Sequence, residues 1–252
     1  MLLLGLVLLS LAAFTAGFID AIGGGGGLLT VPVLALAGYG PLTVLATNKL
    51  QSTFGSATAA LAYLRAERLD LHKIWPLPVA AGLGALLGVA TLSRLPSGLI
   101  MEALPVLLVL VALYFLLSPR IGDSDSHARL SLPVLGVTLV PLLGFYDGAF
   151  GPGTGAFLMI CFVEIAGFGM IKAAAHTKIC NLASNICALT AWIFVGKVAW
   201  GVGLMMGLAQ FLGARLGARL AVTRGARLVR PVLITLCLVL ALKIGLQHDM
   251  PG

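Results

Sequence analysis

Two lysines stand inside long apolar stretches of this chain, each followed by a polar residue one turn on and another two turns on. Lys49, Ser52 and Ser56 recur as Lys178, Asn181 and Asn185, spaced i, i+3 and i+7 in both places. Residues so spaced share one face of a helix. An ionisable side chain within an apolar span is costly, so it faces a cavity or a partner. Ammonium, amide and hydroxyl donors on one face make an anion site. The alternative is that each lysine pairs with a buried acid or snorkels to the interface. Thr47 and Asn48 extend the first cluster, and His176 and Thr177 extend the second.

Asp20 and Asp147 each precede a glycine-rich stretch, residues 23–27 and 151–155. Gly24 and Gly26 correspond to Gly151 and Gly153. Five consecutive glycines destabilise a helix, and unwound backbone at membrane depth is tolerated only where protein or water covers it. Helix breaks in corresponding positions of two halves point to a binding site at the repeat interface. A helix that begins there offers free N–H donors and partial positive charge to an anion. The competing reading is that the glycines only let helices pack closely. The aspartates either neutralise the lysines in structural networks, or one of them carries a proton. His176 is a second candidate for a proton relay.

The surrounding segments decide where these residues sit. Of 252 residues, 60% are hydrophobic and 10% charged, against about 45–50% and about 25% in soluble domains. That balance excludes a soluble enzyme, a disordered chain and a nucleic-acid module, and leaves an integral membrane protein. Punctuation by charge, Pro and Gly separates ten apolar segments: 1–22, 28–38, 42–64, 74–92, 98–117, 131–150, 155–167, 170–196, 198–221 and 229–246. Segments 28–38 and 155–167 are too short to cross a bilayer comfortably, and each follows a glycine break. The first 13 residues lack the basic start and cleavage site of a signal peptide.

The two halves resemble each other. Gly17-Phe18-Ile19-Asp20 recurs as Gly144-Phe145-Tyr146-Asp147 at an offset of 127. Lys49 and Tyr63 match Lys178 and Trp192 at 129, Trp75, Gly82 and Gly88 match Trp200, Gly207 and Gly213 at 125, and Pro105 matches Pro231 at 126. Asp, Lys, Trp and Pro agreeing in one register is the mark of a duplication. Loop 65–73 carries Arg65, Arg68 and Lys73; loop 219–230 carries Arg219, Arg224, Arg227 and Arg230; the hydrophilic stretch 118–130 carries Arg120 and Arg129. An odd number of crossings per half gathers all three on one side and leaves Arg94, Lys197 and Lys243 on the other. The positive-inside rule then predicts inverted-topology repeats, with both termini outside the cytoplasm. The expected architecture is an all-α integral membrane protein of two such repeats. Each repeat is a Gly-broken helical pair, re-entrant or fully spanning, plus three transmembrane helices. The expected divisions are a first repeat over 1–117, a cytoplasmic linker over 118–130, a second repeat over 131–246 and a short tail over 247–252.

The remaining residues read more plainly. The net charge of +7 reflects these orientation charges, not nucleic-acid binding. Cys161, Cys180, Cys187 and Cys237 make no CxxC pair and read as small apolar filler. Trp75, Trp192 and Trp200 read as interfacial anchors, Glu102 and Glu164 as interfacial, and Pro32, Pro105, Pro141 and Pro231 as kinks. There is no Gly-x-Ser-Gly, no His-Glu-x-x-His and no nucleotide-binding loop. Tyr146-Asp147 lacks the Gly-x-Gly-Asp partner of an intramembrane aspartyl protease. No catalysis, cofactor or metal is expected.

Gly17-Phe18-Ile19-Asp20 with the glycines after it, Ala46-Thr47-Asn48-Lys49, and the run Gly-Phe-Tyr-Asp-Gly-Ala-Phe-Gly-Pro-Gly-Thr-Gly over 144–155 resemble the TauE/SafE sulfite exporter family. The resemblance covers residues 5–246, and the run 144–155 is its most specific part. One departure is the all-glycine first break, where Gly-x-Gly-Gly is more usual. The resemblance implies a small bacterial inner-membrane transporter for sulfur-containing anions such as sulfite, sulfoacetate or thiosulfate.

The expectation is therefore a secondary transporter that exports a small sulfur-containing anion by alternating access. Its substrate would meet Asn48, Lys49, Ser52, His176, Thr177, Lys178, Asn181, Asn185 and the backbone at Gly24, Gly26, Gly151 and Gly153. Asp20 and Asp147 would couple protons or balance charge. An anion leaving a negative interior gains about 2.3 kcal/mol per charge per 100 mV, so proton coupling is optional. A passive anion channel and a membrane subunit of a larger complex are the alternatives. The partners expected are the substrate anion and the bilayer, and Gly/Ala-rich helix faces are compatible with a homodimer.

Overall fold

Among the described residues, the stretches that are apolar between glycine and proline punctuation are helical. The computed structural model describes residues 2–67, 69–96, 98–100, 102, 106 and 127–224. The expected span 229–246, nearly all of the span 98–117, the linker through residue 126 and the tail 247–252 lie outside the described residues. So do Arg68, Pro105, Arg120, Arg227, Arg230, Pro231, Cys237 and Lys243.

The first half holds α1 (Leu2–Gly23), α2 (Gly26–Leu36), α3 (Pro41–Glu67), the single turn α4 (Leu71–Ile74) and α5 (Pro76–Leu92). The second holds α6 (Leu132–Val137), α7 (Leu139–Ala149), α8 (Thr154–Ile160) with a π-helical turn (Cys161–Ile165), α9 (Met170–Val195) and α10 (Trp200–Arg224). There is no strand among the described residues. Among the described residues, three stretches are long and apolar enough to cross a membrane: Leu4–Gly23, Leu132–Ala149 and Met170–Val195.

Local chemistry explains the boundaries. Gly24 and Gly25 take φ of 81° and 97°, and Gly151 and Gly153 take 92° and 85°, a region that glycine enters without a Cβ penalty. These residues interrupt the helices where the sequence predicts breaks. At the first break the chain turns back on itself. Gly26 lies against Ala16 and Asp20 of α1, which a straight continuation would leave far behind at 1.5 Å per residue. The apolar stretch 131–150 is split at Thr138. Pro141 accounts for it, since it offers no N–H to the Val137 carbonyl and its ring crowds that carbonyl. α9 stops at Gly196, which takes a left-handed φ of 71°.

Packing exchanges the halves. α1 packs on α10, α5 on α7, α3 on α10, α5 on α9, and α3 on α9. Glycines make the closest approaches. A Cβ on Gly84, Gly88, Gly144 or Gly148 would run into the backbone across the α5–α7 contact, and one on Gly17, Gly213 or Gly217 into that across α1–α10. Small residues at helix contacts are how membrane helices associate, because lipid tails are as apolar as leucine. The outside is correspondingly apolar, with Leu8, Leu11, Leu83, Leu87, Leu142, Phe194 and Leu208 exposed. Lys49, Gln51, Asp147, Lys178, Ser184 and Gln210 are buried. This polar-inside, apolar-outside arrangement is that of an α-helical membrane protein.

Trp192 corrects one expectation. It is fully buried, not an interfacial anchor, because it lies at the position matched by Tyr63, which is also fully buried. Trp75 and Trp200 are exposed as expected.

Candidate functional site

The two helix breaks meet. Gly24 lies against the backbone of Gly155 and Ala156, and Gly27 against Pro152 and the Asn48 amide. The first contact depends on a missing side chain, since a Cβ at Gly24 would overlap the facing backbone. The unwound backbone is thereby covered by protein, as membrane depth requires.

Around this junction the four charges pair, and the pairs cross between halves. Lys49 of α3 donates to Asp147 of α7 at 2.7 Å, with both side chains 1% exposed. Lys178 of α9 donates to Asp20 of α1 at 2.9 Å, and also to the Asp20 main-chain carbonyl. The Lys178 side chain is fully buried, and that of Asp20 is 13% exposed. Each lysine thus neutralises the aspartate of the opposite half. Two lone ammonium groups awaiting an anion are not what the protein presents.

The two pairs are held differently. Asp147 also accepts from Ser184 Oγ at 2.5 Å, and Lys49 also donates to Asn185 Oδ1 at 3.2 Å. Asp20 instead accepts a longer bond, 3.3 Å, from the Gly26 N–H. The residue matching Ser184 at the offset of 129 is Gly55, which has no hydroxyl. The residue matching Asn185 is Ser56, whose hydroxyl donates to the Ser52 carbonyl of its own helix at 2.8 Å.

A cavity of about 20 Å³ lies between the pairs, room for a water or two. Asp20, Asn48, Lys49 and Ser52 line it from the first half, and Asp147, Asn181 and Asn185 from the second. Gly25, Gly27, Gly151, Gly153 and Gly155 contribute backbone. Lys178 lies beside this cavity through its bonds to Asp20. Gly24 and Gly26 are spent on helix contacts. Thr177 is buried with its hydroxyl unpartnered and does not line the cavity. His176 is elsewhere in the core. Its Nδ1–H donates to the Lys172 carbonyl at 2.8 Å, a carbonyl being able only to accept, and its ring packs between Phe162 and Phe168.

Sequence reasoning missed Ser184, Gln51 and Gln210. Gln51 donates to Asn48 Oδ1 at 3.1 Å, which also accepts from Thr30 at 2.8 Å. Gln210 sits in the space left by Gly17 and Gly55. All three have apolar or glycine repeat partners (Cys180, Ala85 and Gly55), so a search for matched polar positions passes over them. Burial of a polar side chain in an apolar helix was the remaining signal. Among the described residues, no group of His, Cys, Asp and Glu is placed to hold a metal ion.

Buried, mutually neutralising charges where two broken helices abut, inside an apolar helical shell, define a polytopic membrane transporter. Residues 9–244 match the family model described as sulfite exporter TauE/SafE, and the chain belongs to that family. It is 48% identical over 239 residues to a probable membrane transporter protein, ORF9, of Sinorhizobium sp, covering 95% of this chain and 92% of that protein. It is 40% identical over 251 residues to the probable membrane transporter protein YfcA of Escherichia coli strain K12, covering 100% and 92%. A probable membrane transporter protein of Haemophilus influenzae is 39% identical over 239 residues, covering 95% and 94%. No solved structure matches the chain significantly.

Proposed function

We propose that this membrane transporter exports a small sulfur-containing oxyanion, such as sulfite, sulfoacetate or a related sulfonate, across the bacterial inner membrane by alternating access. The observation that carries the reading is the cavity lined from both halves where the two breaks meet, with Asp20 and Asp147, and Ser52 and Asn181, as matching pairs. The family's description as a sulfite exporter supports the substrate class. Asn48, Ser52, Asn181, Asn185 and the N–H groups at the breaks supply neutral donors that suit oxyanion oxygens, and Lys49 and Lys178 supply charge-assisted ones. A cavity with room for only a water or two suits a carrier better than an open channel.

Helix directions support inverted repeats. Gly203 faces Thr47 and Leu50, Gly207 faces Phe54, and Gly55 faces Gln210. Positions rise together on both helices, so α3 and α10 run parallel. Residues 196–199 alone join α9 to α10, and so short a connection between two long helices fits an antiparallel pair. The matching helices α3 and α9 then run in opposite directions. Parallel α3 and α10 also bring Arg65 and Arg224, each in a last turn, to one side. That side is the cytoplasm by the positive-inside rule, and the N-terminus is periplasmic.

Lys178→Gln tests the site. The amide keeps a hydrogen bond to Asp20 and removes the charge. Sulfite flux in proteoliposomes is expected to fall at least about 100-fold, the order of a lost charge-assisted contact, with monodisperse, folded protein. Normal flux would remove Lys178 from the site.

A further inference from the structure

We infer that the two ion pairs do different jobs: Lys49–Asp147 is a fixed clamp, and Lys178–Asp20 is an exchangeable pair in which the substrate anion replaces the Asp20 carboxylate on Lys178 while Asp20 takes up a proton. The inference rests on the transport reading above and adds the coupling ion and the residue that carries it.

Four observations lead here. The site already holds two cations and two anions, so it is formally neutral before any substrate enters. An added anion leaves a net charge in a low-dielectric core unless a positive charge comes with it. Asp147 is clamped by Lys49 and Ser184, while Lys49 is steadied by Asn185. The Lys178–Asp20 pair lacks both of these side-chain supports, because the repeat places Gly55 and Ser56 where the other pair has Ser184 and Asn185, and Asp20 has only the 3.3 Å bond from the Gly26 N–H in their place. Asp20 is also the more exposed carboxylate, 13% against 1%, and lines the cavity. Lys178 keeps a second acceptor, the Asp20 main-chain carbonyl, so the ammonium stays in place when the carboxylate leaves it.

The groups around Asp20 leave few other routes. α9 presents Lys178. α3 presents Lys49, whose ammonium is taken up by Asp147, and Tyr63, whose hydroxyl donates to the Ala21 carbonyl at 2.8 Å. α2 and α8 carry no ionisable residue. The α10 arginines nearest in sequence, Arg215 and Arg219, are exposed. Asp147 faces it across the cavity. A protonated Asp20 gains an O–H that can donate to the anion now on Lys178. Charge is conserved: the anion brings −1, the solvent proton +1, and the site stays neutral. A proton moving with a monovalent anion cancels the charge carried. Export then requires an outward anion gradient larger than any opposing pH gradient.

The test is calorimetric titration of the purified protein with methanesulfonate, an anion that takes up no proton near neutral pH, in two buffers of different ionisation enthalpy. About one proton taken up per anion bound is expected, with affinity falling about tenfold per pH unit where Asp20 is ionised in the free protein. Asp20→Asn removes the competing carboxylate. It is expected to bind at least about tenfold more tightly with no proton uptake, while Asp20→Glu keeps the linkage. Binding without proton uptake in the wild type overturns the inference and leaves the transport reading standing. Uptake that survives Asp20→Asn and vanishes in Asp147→Asn overturns the assignment. Absence of binding and flux for methanesulfonate and sulfite alike removes the inference together with the transport reading.

Discussion

At the scale of single residues, burial and partners separate four charges that look equivalent in the sequence. Removing one member of a buried, well-anchored pair leaves an uncompensated charge, at about 3–5 kcal/mol. Asp147→Ala strands Lys49, which is fully enclosed, whereas Asp20→Ala leaves Lys178 its main-chain acceptor beside the cavity. Asp147→Ala is therefore expected to lower thermal stability in detergent markedly more than Asp20→Ala. Equal losses would contradict the division into clamp and exchangeable pair. The sequence made the lysines, asparagines and aspartates legible through their spacing and duplication. It left open whether the aspartates neutralise the lysines, and which lysine meets which aspartate. Repeat offsets identify corresponding residues, whereas the exchange of partners between halves arises only when α1 packs on α10 and α5 on α7. Ser184 was hidden for a related reason: its value lies in differing from its repeat partner.

At the scale of elements, the glycines do two jobs, and both are testable. Gly24 combines a φ of 81° with a facing backbone that a Cβ would overlap. Gly38 has a similar φ, 87°, with nothing within 4 Å of a Cβ. Gly38→Ala is expected to cost about 1–2 kcal/mol, the strain of a left-handed residue alone. Gly24→Ala is expected to cost more and to abolish flux, because the two breaks can no longer meet. A Gly24→Ala variant as stable and active as Gly38→Ala would contradict that junction. Helix breaks were legible because a run of five glycines destabilises a helix. Their exact bounds were less so, since the helices that form, Gly26–Leu36 and Thr154–Ile160, begin one or two residues before the apolar segments 28–38 and 155–167. Trp192 was misread because tryptophan at a segment end suits an interface, while a packed core has room for one where Tyr63 fills the matching place.

At the scale of the molecule, topology and transport are the claims. With its native cysteines replaced, Gly38→Cys in the α2–α3 connection is expected to react with a membrane-impermeant maleimide from outside intact cells. His72→Cys in α4, the turn that follows α3, is expected to react only after permeabilisation. The reverse pattern would invert the orientation, and labelling of both from outside would remove the spanning of α3. The all-helical, membrane-bound character was readable because composition alone demands a bilayer. The small cavity was not, because no sequence pattern records how closely two halves pack against each other.

The central claim is that matching residues of the two halves form one carrier site for a sulfur oxyanion. Its most direct test is the initial rate of sulfite entry into proteoliposomes holding the purified protein, across a range of sulfite concentrations, with sulfoacetate, thiosulfate and sulfate as competitors. Saturable entry that a sulfur anion competes away, and that Lys178→Gln loses, is the predicted result. Entry no faster than in protein-free liposomes, or a rate that rises without saturation and ignores Lys178, would contradict it.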